Sequence, residues 1–205
     1  EQTYVHTFHK EDAPKQAFAG SEEDDRQVVF SGPHFKATFD KQSGLLVSYR
    51  YKKQEYIHNG QGPRPFFWRA PTDNDYGAKL PIRVKAWKEA SYQEPKAESF
   101  NVVRDKDTTA VKVTYRFPQT DARWDITYKV YGNGVIKVDN HFVAENAQTP
   151  MIPRVGLRMQ LPARITSLTY YGRGPEENYR DRRTSQFIGE YTSGIQDMYE
   201  PYVRP

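Results

Sequence analysis

Apolar and polar residues alternate with a period of two along most of the chain from Gln27 onward. This alternation predicts β-strands that bury one face and expose the other. The apolar residues that share a face within each predicted strand are Phe35, Ala37 and Phe39; Leu45, Val47 and Tyr49; Val111, Val113, Tyr115 and Phe117; Trp124, Ile126, Tyr128 and Val130; Ile136, Val138 and Phe142; and Val155, Leu157, Met159 and Leu161. A further strand is predicted over Leu168 to Tyr171. The chain is therefore predicted to consist mainly of strands.

Turn signals between these strands indicate hairpins. Asp40-Lys41-Gln42-Ser43-Gly44 offers a glycine for a positive φ angle, and Gly132-Asn133-Gly134 is a strong hairpin turn. The only segment with a plausible helical pattern is Ile82 to Ser91, and it is short. Because no long crossover helix separates the strands, we predict an all-β, antiparallel fold, with a sandwich favoured over a barrel.

The two ends of the chain differ from this pattern. Residues 1–26 begin with a strand-like alternation and continue as a charged stretch with proline and glycine, which predicts the end of a preceding module followed by a linker. Residues 27–205 are then expected to form the β-sandwich domain. The final segment, Asp197 to Pro205, is extended and contains two prolines, so we expect the chain to stop within that domain.

Composition narrows the functional classes. The 205 residues include no cysteine, which excludes disulfides, zinc–thiolate sites and cysteine nucleophiles. No stretch approaches the ~20 apolar residues of a membrane span, and we expect no signal peptide at Glu1. The net charge of +4 is spread along the chain, and its arginine-rich part interleaves with acidic residues, which argues against nucleic-acid binding.

The run Phe66 to Gly77 is the most distinctive feature, because apolar anchors lead directly into a dense polar cluster. We expect Phe66, Phe67 and Trp68 to hold the run against a core. Asp73, Asn74 and Asp75 then form either an Asx-rich structural turn, a ligand-facing loop or a metal site. The spacing of a calcium loop is not matched, and the structural turn is favoured.

The second polar segment runs from Tyr170 to Arg182. Its Gly-x-Gly lacks a third glycine and a following helix, so a dinucleotide site is excluded. Glu176 and Glu177 are adjacent and would point to opposite faces of an extended chain, which favours ion pairs with nearby arginines over an acid/base pair. The five histidines show no metal spacing, and His141 is interpreted first as a packing residue.

Three motifs together carry a family resemblance. They are Arg69-Ala70-Pro71-Thr72-Asp73-Asn74-Asp75, then Tyr171-Gly172-Arg173-Gly174-Pro175-Glu176-Glu177-Asn178-Tyr179 with Asp181-Arg182, and then Asp197-Met198-Tyr199-Glu200-Pro201-Tyr202-Val203. In this order and spacing they resemble the C-terminal β-sandwich domain of the bacterial β-galactosidases of glycoside hydrolase family 2. The resemblance covers residues 27–205.

The resemblance implies a supersandwich similar to galactose mutarotases, within a parent enzyme that hydrolyses terminal β-galactosides with retention. In that family the catalytic glutamates lie in a TIM barrel upstream, and nothing in this chain matches them. The chain alone is therefore expected to be inactive and to scaffold one wall of the active site. The implied substrate-side loop is Gly77, Ala78 and Lys79, with a hinge at Gly77. The implied structural residues are Arg69, Asp73, Asn74, Asp75, Arg173, Glu176, Asn178 and Asp181.

The implied partners are the other domains of the parent chain, the β-galactoside bound through them, and a homo-oligomer, with no nucleic acid or membrane. No cofactor is expected in this segment, although parent enzymes can use magnesium and sodium ions elsewhere. The compartment stays open between bacterial cytoplasm and periplasm. Two alternatives remain, an autonomous carbohydrate-binding module that uses the Asp73–Asp75 loop and a mutarotase-like epimerase that uses His141.

Overall fold

The computed structural model describes residues 20–104, 108–146, 149–179 and 182–199. Within them the chain forms two compact units, one of residues 20–68 and 84–160 and one of residues 69–83 and 161–199. In chain order the elements are β1 (Gly20–Glu23), β2 (Gln27–Ser31), β3 (Phe35–Asp40), β4 (Leu46–Tyr51), β5 (Gln54–Glu55), β6 (Arg64–Phe66), α1 (Asp73–Gly77), α2 (Leu80–Arg83), α3 (Lys85–Tyr92), β7 (Ser99–Arg104), β8 (Thr108–Phe117), β9 (Ala122–Tyr131), β10 (Ile136–Ala144), β11 (Gly156–Arg158), β12 (Ser167–Gly174) and β13 (Phe187–Gly194).

The first unit is a sandwich of antiparallel sheets. One sheet has the strand order β1-β2-β3-β4-β5 and the other has the order β10-β9-β8-β7, while β6 and β11 pair separately. The inner faces meet across the core, where the rings of Phe39 on β3 and Tyr128 on β9 lie 5.2 Å apart in an edge-on arrangement. The predicted all-β antiparallel sandwich is confirmed.

The alternation of apolar residues predicts the core correctly in strands that pair with a neighbouring strand on both sides. The predicted inner residues of β3, β8 and β9 are buried and their intervening residues are more exposed or point away. The Asp40–Gly44 turn forms as expected, with Gly44 at φ 74°. A side chain there would also collide with the core, since a Cβ on Gly44 would lie 2.4 Å from Val113 Cγ1. The hairpin turn at residues 132–134 and strand β12 are likewise confirmed.

Three predicted element boundaries need correction. The helix predicted over Ile82 to Ser91 is divided, because buried Val84 takes a non-helical conformation and precedes the start of α3. The described residues also contain the very short helices α1 and α2, of five and four residues, and α3 is the one helix among them of seven or more residues.

The other corrections concern strands. The strand predicted around residues 155–161 contains only Gly156–Arg158, because Val155 and Met159 are exposed. Leu45 precedes β4, where the pairing with β3 shifts register between Thr38 and Phe39. Residues 20–23, at the end of the predicted linker, pair with β2 as strand β1. Residues 1–19 lie outside the described residues, so the boundary at residue 26 stays a prediction.

An aromatic cluster holds the segment that precedes the polar run. Phe66, Phe67 and Trp68 are buried, which confirms the predicted anchors. The Phe67 ring lies 4.7 Å from Trp87 on α3 and 5.4 Å from Trp124 on β9. Its backbone N–H donates to Ser91 Oγ at 2.9 Å. Phe67 is therefore held by packing within the first unit.

The second unit contains α1, α2 and the β12–β13 hairpin. The hairpin register pairs Tyr170 with Tyr191, whose rings lie 5.6 Å apart, and Thr169 with Thr192, whose hydroxyls lie 2.8 Å apart on the other face. Two of its elements, α1 and β12, carry sequence motifs selected above. Nowhere in the described chain is a helix long and apolar enough to span a membrane.

Candidate functional site

Helix α1 starts at the polar cluster because Thr72 and Asp75 cap it reciprocally. Thr72 Oγ1 accepts the Asp75 backbone N–H at 3.4 Å, and the Asp75 carboxylate accepts the Thr72 backbone N–H at 2.9 Å. This is a capping box, which satisfies two N–H groups that a helix start leaves open. The predicted Asx-rich turn is therefore a helix N-terminus, and the Thr-x-x-Asp spacing was the available sequence signal.

Arg69 binds the same carboxylate with both terminal nitrogens. Arg69 Nη1 lies 2.7 Å from one Asp75 oxygen, and Arg69 Nη2 donates to the other at 2.9 Å. The side chains are only 22% and 13% exposed, so solvent screens the pair less than an ordinary surface ion pair. This bidentate geometry fixes the orientation of the Arg69 guanidinium relative to the Asp75 carboxylate, and it also balances the charge of the carboxylate.

The pKa of Asp75 is lowered by this arrangement. Partial burial by itself raises the pKa, but the Thr72 backbone N–H and the Arg69 guanidinium stabilise the carboxylate more strongly, so the net shift is downward. Asp75 is therefore an ionised structural group at neutral pH. A carboxyl group in this state is a poor general acid.

The other two polar residues of the cluster contribute differently. Asp73 and Asn74 are exposed in the first turn of α1. The Asn74 backbone carbonyl accepts the Ala78 N–H at 2.9 Å. Asp73 lies where the helix dipole favours a negative charge. Of these three residues, Asp75 is therefore the one whose side chain connects Arg69 to the start of α1.

The predicted substrate-side loop is a very short connection between α1 and α2. Gly77 is the last residue of α1, Ala78 caps the helix C-terminus, and Leu80 begins α2. The left-handed conformation belongs to Lys79, at φ 54°, and not to Gly77. The hinge predicted at Gly77 therefore has no unusual backbone angle to explain the glycine. Lys79 and its neighbours are exposed.

Arg173 organises the second motif through backbone carbonyls. Its Nη1 donates to the Gln186 carbonyl at 2.7 Å and to the Arg183 carbonyl at 3.0 Å, which ties the end of β12 to the segment before β13. The Arg173 carbonyl accepts from Asn178 Nδ2 at 3.2 Å. The Glu177 carboxylate pairs with Arg182 at 3.4 Å, which confirms the predicted ion pairing for Glu177.

Gln186 is the important residue that the sequence did not indicate. Gln186 is only 5% exposed, and its Oε1 accepts the Glu176 backbone N–H at 3.0 Å. Its Nε2 donates to Ser185 Oγ at 3.1 Å. A single glutamine before a strand has no distinctive spacing, so no pattern could have identified it.

A contact between distant residues joins the two motifs. The Arg69 guanidinium lies over the Tyr179 ring, with Cζ 5.6 Å from the ring centroid. This cation–π contact joins the α1 corner to the loop that follows β12. Arg69 and Asp75 therefore form one cluster with Tyr179. Asp181, also predicted as a structural residue, lies outside the described residues.

Among the described residues, no group of three or more histidine or acidic side chains is placed so that it could hold a metal ion. His141 lies on β10 with its side chain 72% exposed and its Nδ1 3.7 Å from Asp125 Oδ2. The polar groups of the candidate site instead bond to one another, and this arrangement supports positioning of a loop more than proton transfer.

Comparison with known proteins identifies the family to which the chain is similar. Residues 31–205 match the family model described as "Beta galactosidase small chain". Similar proteins include a beta-galactosidase from Priestia megaterium, 34% identical over 184 residues that cover 90% of this chain. A beta-galactosidase from Clostridium acetobutylicum is 36% identical over 82% of this chain, and one from Streptococcus thermophilus is 32% identical over 89% of it.

The matched region is a small part of each relative. It covers 17% of the Priestia megaterium protein and 18% of each of the other two. The match nevertheless includes the sandwich from β3 onward and both polar motifs of the candidate site. This chain belongs to the beta galactosidase small chain family.

Proposed function

We propose that this chain is a non-catalytic C-terminal domain of a β-galactosidase of glycoside hydrolase family 2, which hydrolyses terminal β-D-galactosides with retention. The observation that carries the proposal is the match of residues 31–205 to the family, in relatives named beta-galactosidase that are more than five times longer than the matched region. The catalytic glutamates then belong to a TIM barrel in the rest of the parent protein.

Within the parent, this domain shapes one wall of the galactose site through Gly77, Ala78 and Lys79. Three features support that role. The residues are exposed, they lie between two short helices, and the helix before them is held by the capping box and the Arg69–Asp75 pair. A short loop on a fixed support keeps its position without a large entropic cost on substrate binding.

The contacts of two carboxylates of the candidate site, Asp75 and Glu177, support a non-catalytic role. A retaining glycosidase needs two carboxyl groups about 5 Å apart, one of them available as an acid. Asp75 is ionised by its contacts with Thr72 and Arg69, and Glu177 is paired with Arg182. The domain therefore acts on the sugar through position, together with the other domains of the parent chain.

The direct test is hydrolysis of a chromogenic β-galactoside by the 205-residue chain alone and by the longer parent enzyme. We expect turnover from the parent and none above background from the chain. Turnover by the chain that a single Glu-to-Gln change within residues 27–205 abolishes would contradict the proposal. A catalytically inactive parent, with a substitution in its barrel, gives the background rate.

A further inference from the structure

An open groove of about 510 Å³ in the first unit is lined by two turns that lie side by side. One turn joins β2 to β3, and the other joins β4 to β5. The Lys52 backbone N–H donates to the His34 carbonyl at 2.7 Å, which links the two turns directly. Residues of both turns and of the adjoining ends of β3 and β4 therefore line one groove.

The charged residues that line this groove are all cationic. They are Lys36, Arg50, Lys52 and Lys53, and the described lining contains neither an aspartate nor a glutamate. The nearby Glu55 carboxylate binds Arg50 at 3.3 Å. The three lysines are exposed, and none of them forms an ion pair with a described acidic residue. The groove therefore carries three positive charges that the described part of the chain does not balance.

Two local features of this groove oppose the stability of the fold. Lys36 on β3 lies directly opposite Arg50 on β4 in the antiparallel register, and like charges in that position repel. Lys52 and Lys53 form the two-residue turn between β4 and β5, and both have left-handed backbones, at φ 48° and 68°. Because such a turn favours Asn-Gly, a lysine at either position is strained.

These conflicts indicate a surface shaped by binding rather than by folding. A sequence that breaks local rules of charge and backbone without an internal compensation does so most often at a functional site. Here both conflicts have the same result, because each adds a lysine to one groove. An acidic partner would balance these charges.

The lining favours an acidic segment of polypeptide as that partner. Lysines present single charges on flexible stems, which suits a surface with several carboxylates better than one enclosed ion. Among the described residues of the lining, Phe35 is the only aromatic one, and it is buried. The groove therefore offers no exposed ring on which a nucleic-acid base could stack or which could enter a lipid interface.

We propose that this groove docks an acidic segment of another domain of the parent chain, through Lys36, Lys52 and Lys53. The source of the segment rests on the proposed function, because the matched region is 17% or 18% of the length of the relatives. A segment of the same chain is present at a high effective concentration, so surface ion pairs that are weak one by one are sufficient. Complementary charge then fixes the register of the two domains.

The first experiment is calorimetric titration of the 205-residue chain with an octaglutamate peptide and with octaglutamine at about 20 mM salt. We expect octaglutamate alone to bind, and to bind more weakly at about 200 mM salt. The combined variant Lys36→Gln, Lys52→Gln and Lys53→Gln should weaken binding about 5-fold or more, because it removes the three unbalanced charges.

The matched control is the combined variant Lys85→Gln, Lys129→Gln and Lys137→Gln. It removes the same total charge from the first unit, but from lysines that already pair with acidic side chains. Its affinity for octaglutamate should fall less than about 2-fold. An equal loss of affinity in the two combined variants would show that only net charge attracts the peptide, and it would overturn the proposal.

Lys52→Asn with Lys53→Gly separates binding from folding. This pair supplies the residues that the turn favours, so it should raise the urea midpoint of unfolding. It should at the same time weaken octaglutamate binding about 3-fold or more. The proposal can thus be tested even where the variant with three substitutions fails to fold. Unchanged affinity in this variant would contradict a role of the turn in docking.

The second experiment identifies the source of the segment. Carbodiimide treatment of the parent enzyme joins lysines to carboxylates in contact with them, and mass spectrometry locates the joined residues. We expect cross-links from Lys36, Lys52 or Lys53 to aspartates or glutamates outside these 205 residues. The absence of such cross-links, or tighter binding of a DNA duplex than of octaglutamate, would overturn the proposal. Hydrolysis of the β-galactoside is measured separately, so a failure of the proposed function is distinguished from a failure of this docking surface.

Discussion

At the scale of single residues, Asp75 has the largest number of roles in the candidate site. Its carboxylate caps α1 through Thr72 and receives both terminal nitrogens of Arg69. Asp73, two residues earlier, is exposed in the same turn. Asp73 and Asp75 therefore both lie in the first turn of α1 and differ in the contacts of their side chains. This pair allows the contribution of the contacts to be measured apart from the effect of charge.

Asp75→Asn should lower the free energy of unfolding by about 1–3 kcal/mol, because it weakens a helix cap and leaves the partly buried Arg69 without its counter-ion. Asp73→Asn should change it by less than about 0.5 kcal/mol. Urea denaturation of both variants and the wild type measures the difference. Equal effects of the two substitutions would show that only net charge matters here.

The stabilisation by Asp75 should also depend on pH in a defined direction. The folded pKa lies below the ordinary value of 3.8, so the folded state binds this proton less readily than the unfolded state. The stabilisation is therefore complete above about pH 5 and is lost as the pH falls below about 4 toward the folded pKa. The stability difference between wild type and Asp75→Asn, measured from pH 7 to pH 2, should shrink only in that acidic range. A difference that shrinks instead above pH 6 would contradict the assignment.

The site could be predicted from sequence only where its contacts are local. The Thr72–Asp75 box lies within four residues and carries a recognisable spacing. The contact of Arg69 with Tyr179 joins residues more than a hundred positions apart, and no periodicity reports such a contact. The Gln186 side chain accepts the backbone N–H of Glu176 in the preceding loop. Its role therefore depends on the path by which that loop brings Glu176 close to residue 186.

At the scale of elements, alternation predicted the strands that have a buried and an exposed face. Strands β8 and β9 each have neighbours on both sides and bury one complete stripe. Strand β13 was not identified, because Phe187 and Ile188 are consecutive and both exposed, so its pairing with β12 leaves no stripe to detect. Helix α1 was missed because five residues are too few for a helical period.

Gly44 shows how a turn and the core jointly require a glycine. Gly44→Ala should cost about 2–4 kcal/mol, because it adds the strain of a left-handed residue to a collision with Val113 and Tyr115. Gly20→Ala is the control, since a Cβ at residue 20 would meet nothing within 4 Å. Thermal and urea unfolding compare the two. A small effect at Gly44 would mean that the turn adapts without affecting β8.

Gly77 should behave in the opposite way. It ends α1 without a positive φ angle, and a Cβ there would meet nothing within 4 Å. Gly77→Ala should therefore raise the free energy of unfolding by up to about 1 kcal/mol through helix propensity and a less flexible unfolded chain. Urea denaturation measures this gain. A loss of stability would instead support a backbone requirement for glycine, and with it the predicted hinge.

At the scale of the whole molecule, the family assignment and the candidate site lead to one kinetic question. The sandwich of the first unit buries a continuous core, and the candidate site of the second unit is internally bonded. In that site the Asp75 carboxylate is engaged by Arg69 and the Glu177 carboxylate by Arg182. The contribution of this chain to catalysis, if the proposed function is right, must therefore appear in the parent enzyme as an effect on substrate binding.

Lys79 is the residue at which to measure that effect. Its side chain is exposed on the proposed substrate-side loop, and its backbone is left-handed at φ 54°. In the parent enzyme, Lys79→Ala should raise KM about 3- to 10-fold with little change in kcat. This is the result expected when the lost contact to the bound sugar is a hydrogen bond of ordinary strength, made equally in the ground state and the transition state. Lys79→Gly removes the same side chain but relieves the backbone strain, so equal KM values for the two variants assign the effect to the side chain. Lys85→Ala, which removes an exposed lysine paired with Glu89 on α3, should leave both constants unchanged. Wild-type kinetics for Lys79→Ala and Lys79→Gly together would remove this loop from the active-site wall, while leaving the family assignment intact.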